Sequence, residues 1–323
     1  MTSGNLLNMV SIKASARIHS GLISMHENAY RKFGSVGFSI TNPYLIVNTF
    51  RCNSGIKITD ERLEKITNDK IIHLLKIIED IYRYYNINGG CEIIIEGDLF
   101  PHMGLGSGTA LTLSTIESIL ILNNINYNDS DLIALSKRGR TSGVGIQTYF
   151  KGGAILDLGQ KFNNCHWAPS SLNFATNISN LLSRIDIPDW EVNLIFPHTK
   201  NKIHSNKERD FFNKNLPLDE YESFRSSYHL IFGLFASFLD NDKKSAINSL
   251  QSINDLKWKE LEITNQPASS DLLEYLKSKG INASMSSMGP TLYSFSTLKE
   301  LSIKNFNYLT TKPNNQGRVL LNV

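Results

Sequence analysis

Nine consecutive residues, Pro101-His102-Met103-Gly104-Leu105-Gly106-Ser107-Gly108-Thr109, concentrate more usable chemistry than any other stretch of this chain. Glycines at three alternate positions permit backbone conformations and close approaches that a Cβ forbids. A helix that starts directly behind them would present free N–H groups and about half a positive elementary charge, so phosphate is the natural guest. Ser107 and Thr109 add hydroxyl donors. Three spaced glycines are also read as a plain turn. The elements on either side favour anion binding, and because no Gly-Lys-Ser/Thr follows, the loop is not a P-loop. A second cluster, His198, His204 and Glu208, invites a metal reading, since His204 and Glu208 are four apart and would share a helical face. Spacing fixes no third ligand, and such a pair is common on amphipathic helices.

The elements that must position the loop are visible in the apolar pattern. Ile66, Ile71, Leu74, Leu75, Ile78 and Ile81 recur at helical spacing and predict a packed helix within Leu63–Tyr85. The turn Asn88-Gly89-Gly90 leads into Cys91–Glu96, a short β-branched run that reads as a strand. Helical spacing resumes from Thr109 to Leu122, giving the order strand, glycine loop, helix. Further on, the apolar run Val192–Phe196 reads as a strand whose end carries polar groups, Pro197 to Lys200.

Composition limits what such a site serves. The chain has 323 residues, enough for two compact domains with a cleft between them. Net charge is +3 from 33 basic and 30 acidic residues, so no global field points to nucleic acid. Cys52, Cys91 and Cys165 are odd in number and form no CxxC pair, which fits a reducing compartment. The apolar region Leu230–Leu239 is too short to cross a bilayer, and no basic-then-apolar leader opens the sequence. A cytoplasmic enzyme of small molecules, without nucleic-acid or membrane partners, is the expectation.

The stretch Pro-x-x-Gly-Leu-Gly-Ser-Gly-Thr resembles a signature of the GHMP kinases, the family of galactokinase, homoserine kinase and mevalonate kinase. Its Gly-Ser-Gly-Thr tail is similar to that of one member group, the β-ribofuranosylaminobenzene 5′-phosphate synthases of methanopterin biosynthesis. Three more segments look like that group. They are Ser15–Leu22 with Phe33–Gly37, Lys137–Ile146 with Gly152-Gly153, and Ser286–Tyr293. The resemblance implies an α+β GHMP-kinase fold, with a ribosomal-S5-like domain over residues 1–170 and a ferredoxin-like domain over 171–323. It also implies condensation of phosphoribosyl pyrophosphate with 4-aminobenzoate or 4-hydroxybenzoate, with release of CO2 and pyrophosphate. Mg2+ would be the one cofactor, and a homodimer is allowed for.

Departures from the kinase pattern matter as much. Kinases of this family carry Ser-Gly-x-Asp where this chain reads Ser142-Gly143-Val144-Gly145, so the position of the catalytic aspartate holds Gly145. Where many of them hold a magnesium-binding glutamate, this chain has Lys137, Arg138, Gly139 and Arg140. Guanidinium forks suit phosphate oxygens, so Arg138 and Arg140, with Arg17, are assigned to the phosphates of the donor. A solvated turn is the alternative for this charge run. Arg17 and His19 are two apart and on a strand would face one side, able to share a ligand. His19 is read as a proton carrier or as an interior histidine. Asp157, after the glycine pair, is assigned as a magnesium contact or a stabiliser of an oxocarbenium ion, or else caps a turn. Ser286 and Ser287 in the late motif hold substrate or cap a turn. With Gly104, Gly106, Ser107, Gly108 and Thr109 these residues form the expected site. An ATP-dependent kinase and a non-catalytic binding protein are the alternatives on the same scaffold.

Overall fold

Three runs rich in β-branched and apolar residues at the start of the chain build a sheet, buried on one face where they alternate and on both faces through the first half of the second run. In a computed structural model that describes residues 7–139, 141–161, 167–169, 179–199, 205–298 and 306–322, these are β1 (Met9–Ser24), β2 (Arg31–Cys52) and β3 (Ile56–Asp60). Helix α1 (Asn68–Tyr84) follows, capped by the Thr67 side chain, and buries Leu74, Ile78 and Ile81. It is shorter at its start than the apolar pattern suggested, because the cap falls at Thr67. Strand β4 (Gly90–Gly97) pairs in parallel with β3 and antiparallel with β2.

Helix α2 (Ser107–Leu122) is buried on nearly every face, including its Thr112, Ser114, Thr115, Glu117 and Ser118. Two short helices, α3 (Asp129–Ser136) and α4 (Val144–Lys151), and three strands, β5 (Ala154–Asp157), β6 (Gln160–Lys161) and β7 (Leu181–Ile185), complete this half.

A second sheet holds β8 (Val192–Pro197), β9 (Ser284–Met285), β10 (Leu292–Ser294) and β11 (Phe306–Thr311). Its antiparallel order is β11-β8-β10-β9, the ferredoxin-like arrangement. Between β8 and β9 run α5 (Ser205–Asn215), α6 (Glu220–Ser227), a π-helical stretch (Tyr228–Phe235), α7 (Ala236–Leu239), α8 (Lys243–Asn254), α9 (Lys257–Thr264) and α10 (Pro267–Ser278). Strand β12 (Val319–Asn322) then returns to pair with β1.

The expected division at residue 170 does not separate the sheets. Strands β7 and β12, both beyond it, are hydrogen-bonded to β5 and β1 of the first sheet. One apolar core also runs from Ile12, Phe38 and Ile116 to Leu194, Leu234, Phe238 and Phe295. Cleft and core are therefore built jointly by both halves. No helix among the described residues is long and apolar enough to cross a membrane.

Candidate active site

The glycine loop and α2 form as their residue types require. Gly104 and Gly106 take φ of 76° and 81°, the left-handed region open to glycine, and Gly106 is the N-cap of α2 with no side-chain cap. The amides of Thr109 and Ala110 both bond the Gly106 carbonyl. Ser107 and Gly108 begin the helix on the wall of an open cleft of about 690 Å3, with their amides at its positive end. Cations ring this outer cleft. Arg138 donates from Nε and Nη2 to Thr109 Oγ1 at 3.3 and 3.1 Å. Lys70, from the first turn of α1, donates to Thr112 Oγ1 at 3.2 Å, and burial followed by the charge of Arg138 lowers its pKa to about 7.

Arg17 stands where the loop meets the sheet. Its amide bonds the Leu105 carbonyl at 3.1 Å and its Nη1 donates to the Gly104 carbonyl at 2.7 Å. The β1–β2 register shifts between Ser15 and Arg17 and again between His19 and Gly21. Irregularities of this kind re-aim side chains beside active sites. Here they bracket Arg17 and His19, which both reach an inner chamber of about 130 Å3 behind the cleft. Arg17 Nε and His19 Nδ1 are buried without a hydrogen-bond partner among the described residues. Burial, then the charges of Arg17 and Lys259, hold the imidazole of His19 well below the usual histidine range, so it is neutral near pH 7. Arg17 is itself lowered, to about 10, mainly by burial.

The late motif acts as a brace. Ser286 Oγ donates to the Gly104 carbonyl at 2.8 Å and accepts the His19 amide at 3.1 Å, while the Ser287 amide bonds the His19 carbonyl at 2.9 Å. Ser286 is fully buried and lines neither chamber, so it holds the loop against β1 and does not reach a ligand. Ser287 lines both chambers.

Asp157 is placed differently from the expectation. It is fully buried and lines neither chamber. Its carboxylate accepts a short bond from Ser35 Oγ, the Gly143 amide at 3.1 Å and the Gly159 amide at 2.8 Å, and Ser35 Oγ also meets Ser142 Oγ at 2.7 Å. A divalent cation on Asp157 would have to displace these donors. The magnesium and oxocarbenium assignments do not fit it, and its role is to cap the turn behind Ser142. Among the described residues no group of three His, Cys, Asp or Glu side chains is close enough to hold a metal ion. Arg140 and His204 lie outside the described residues, and His198 lines neither chamber.

Glu208, singled out in the sequence only as half of a metal pair, turns out to line both chambers. Burial raises its pKa to about 7, against the opposing pull of Arg138. Glu262 also lines the inner chamber, but Trp258 Nε1 at 2.8 Å and Lys259 Nζ at 2.5 Å occupy its two oxygens. Apolar side chains, Leu22, Ile146, Pro169, Phe212 and Met288, complete the inner wall. Leu22 and Phe212 are backed by Met25, Phe33 and Trp258 in a separate apolar cluster. Lys70 and Glu262 were missed because each looks like an ordinary helix-surface residue in the sequence. No local pattern marks which helix faces turn toward a cleft.

Comparison with solved structures places this geometry. Homoserine kinase from Cytophaga hutchinsonii superimposes with a TM-score of 0.69 at 17% identity, covering 99% of this chain and 100% of that one. The chain has the GHMP-kinase fold. Residues 72–150, which include the glycine loop and α2, match the family described as GHMP kinases N terminal domain. Along nearly its whole length this GHMP-fold chain is similar to a "beta-ribofuranosylphenol 5'-phosphate synthase" of Methanocaldococcus jannaschii, 28% identical over 328 residues and covering 96% of each chain. A protein of the same name from Archaeoglobus fulgidus is 28% identical over 291 residues, covering 88% of this chain and 87% of its own.

Proposed function

We propose that this protein is a β-ribofuranosylphenol 5′-phosphate synthase-type enzyme that condenses phosphoribosyl pyrophosphate with a para-substituted benzoate, releasing CO2 and pyrophosphate. The near full-length similarity to synthases of that name carries the reading. The word phenol in that name favours 4-hydroxybenzoate as acceptor, with 4-aminobenzoate as the alternative. The two chambers suit the two substrates: the glycine loop and its cations receive the phosphates, and the inner chamber, where Leu22, Ile146, Phe212 and Met288 stand among polar groups, receives a planar ring that carries polar substituents. At Gly145 no carboxylate is present to orient a hydroxyl for phosphoryl transfer, although a Cβ there would have room, 3.5 Å from Thr109.

The chemistry asks little of a proton carrier. The bond from ribosyl C1 to the diphosphate breaks with its electron pair going to the diphosphate. The ring carbon that bears the carboxylate bonds to C1, and the bond to CO2 returns its pair to the ring. No proton is gained or lost by the organic partners. The protein's share is to hold donor and acceptor in line and to stabilise the departing diphosphate with Arg17, Arg138 and Lys70, effects worth about 7–11 kcal/mol when reactants are well oriented. Mg2+ enters this reading only as the ion that accompanies the diphosphate. A cytoplasmic homodimer is the proposed setting.

The test uses carboxyl-labelled 4-hydroxybenzoate and 4-aminobenzoate with phosphoribosyl pyrophosphate and Mg2+. Labelled CO2 and pyrophosphate should appear in equal amounts without consumption of ATP. ATP-dependent phosphorylation with no labelled CO2 would make the protein a kinase instead.

A further inference from the structure

Six residues line both chambers: Arg17, Thr109, Arg138, Glu208, Ser287 and Met288. A donor seated on the glycine loop and a ring seated in the inner chamber can meet only along that shared wall. Glu208 is its one acid. The buried carboxylates of this region are occupied, Asp157 by Ser35 and two amides, Glu262 by Trp258 and Lys259. Glu208 takes no hydrogen bond from a described residue, and it feels Arg138 and Arg17, which line the same two chambers, by charge.

We propose that Glu208 is a catalytic residue of this reaction, the carboxylate that faces ribosyl C1 and stabilises the positive charge that develops there as the diphosphate departs. This rests on the reading given under Proposed function. Three ways of using a carboxylate at this point are distinguishable by chemistry. As a base it would need a proton to take, yet the balanced reaction transfers none between substrates. Moreover, a para hydroxyl lies across the ring from the bonding carbon, toward the inner end where His19 and Glu262 stand. As a metal ligand it would strengthen donor binding. As a counter-charge to C1 it would oppose binding of the anionic donor slightly and act only as the C1–oxygen bond lengthens, which is differential stabilisation of the transition state.

Loss of solvent, then the charges of Arg138, Glu262 and Arg17, set the titration of Glu208. Arg17 and His19 come from β1, Arg138 from the loop after α3, and Glu262 with its partner Lys259 from α9. Its pKa of about 7 in the free site moves higher once the diphosphate is bound, because that anion repels the ionised form and engages the two arginines. The active form is ionised, so kcat rises with pH, with its midpoint at or above about 7.

The experiment compares wild type, Glu208→Gln and Glu208→Asp by single-turnover rate, by donor affinity in calorimetry and by pH profile, with thermal melting to verify folding. Glu208→Gln should lower the rate by about a hundredfold, leave donor affinity unchanged or tighter, and flatten the rise with pH. Glu208→Asp should recover part of the rate and the pH dependence. Weaker donor binding that excess Mg2+ restores would make Glu208 a metal ligand and overturn the proposal. A solvent deuterium isotope effect present in wild type and absent in Glu208→Gln would make it a base and overturn it equally, as would a rate within about threefold of wild type. If wild type releases neither CO2 nor pyrophosphate, the function itself is refuted and this assignment falls with it.

Discussion

Asp157 is a fully buried carboxylate and Glu208 a half-buried one near the same chamber, and loss of solvent raises both above the usual range, to about 6 and about 7. Their surroundings differ in one respect. Asp157 sits behind Ser142 with donors on both oxygens, whereas Glu208 lines both chambers, feels the charges of Arg138 and Arg17, and has no donor among the described residues. A perturbed carboxylate is commonly taken as a sign of function. The pair shows that the perturbation alone does not separate a structural group from a reactive one, and that the count of donors already in place does.

The largest effect expected from this contrast is on stability. Asp157→Ala leaves the Ser35 hydroxyl and the amides of Gly143 and Gly159 without their acceptor, which should cost about 3 kcal/mol or more in denaturant unfolding. The loss has a pH signature. The folded pKa lies above the ordinary value of 3.8, so the contribution of Asp157 is full below about 4 and declines as pH rises through about 6. The stability gap between variant and wild type should therefore be wider at acid pH than at neutral pH. A variant of normal stability that loses only turnover would return Asp157 to the reactive class and break the comparison.

Next in size is the glycine loop. A Cβ at Gly106 would require a non-glycine residue at φ 81° and would fall 2.8 Å from Arg17 Cγ, so Gly106→Val should abolish binding of the ribosyl donor in calorimetry. At Gly108 the nearest atom is Arg138 Nη2 at 3.4 Å, an ordinary contact, so Gly108→Val should weaken donor binding measurably without abolishing it. Equal losses would mean that the loop is disrupted as a whole and that Arg17 is not its partner.

Smaller still are the single cations. Arg138→Ala should raise the donor's dissociation constant about tenfold, the size expected for a charge-assisted hydrogen bond. Lys70→Gln should do less, with a distinctive pH dependence. Lys70 carries its charge below its pKa of about 7, so wild-type donor affinity should fall as pH rises through that region, and the slope should diminish in the variant. A donor affinity unchanged in Arg138→Ala would remove this residue from the phosphate site.

One strand of the first sheet, the helices on either side of it and the glycine loop could be read from the sequence because their signals are local. The repeat of Leu74, Ile78 and Ile81, the β-branched run at Cys91–Glu96 and the glycines before α2 each act over a few residues. The same holds for Arg17 and His19, two apart on one strand. What could not be read depends on distant packing. Ser286 became a brace only because β9 brings it to Gly104, and Glu208 became a wall of the cleft only because Phe211 and Phe212 seat α5 on Trp258 of α9 and Phe33 of β2. The boundary at residue 170 failed for the same reason, since nothing in Leu181–Ile185 or Val319–Asn322 says which sheet each strand will join.

The brace between Ser286 and Gly104 has a consequence in time. The two residues are 182 positions apart, and Ser286 is 267 positions from His19. At a synthesis rate of roughly 5–20 residues per second, a nascent chain would carry its glycine loop for roughly ten to forty seconds before Ser286 exists to hold it. Loop closure over such distances is slow and comes late in folding. A chain still on the ribosome would thus have a phosphate loop without a fixed shape, and its active site would be among the last parts of the molecule to form.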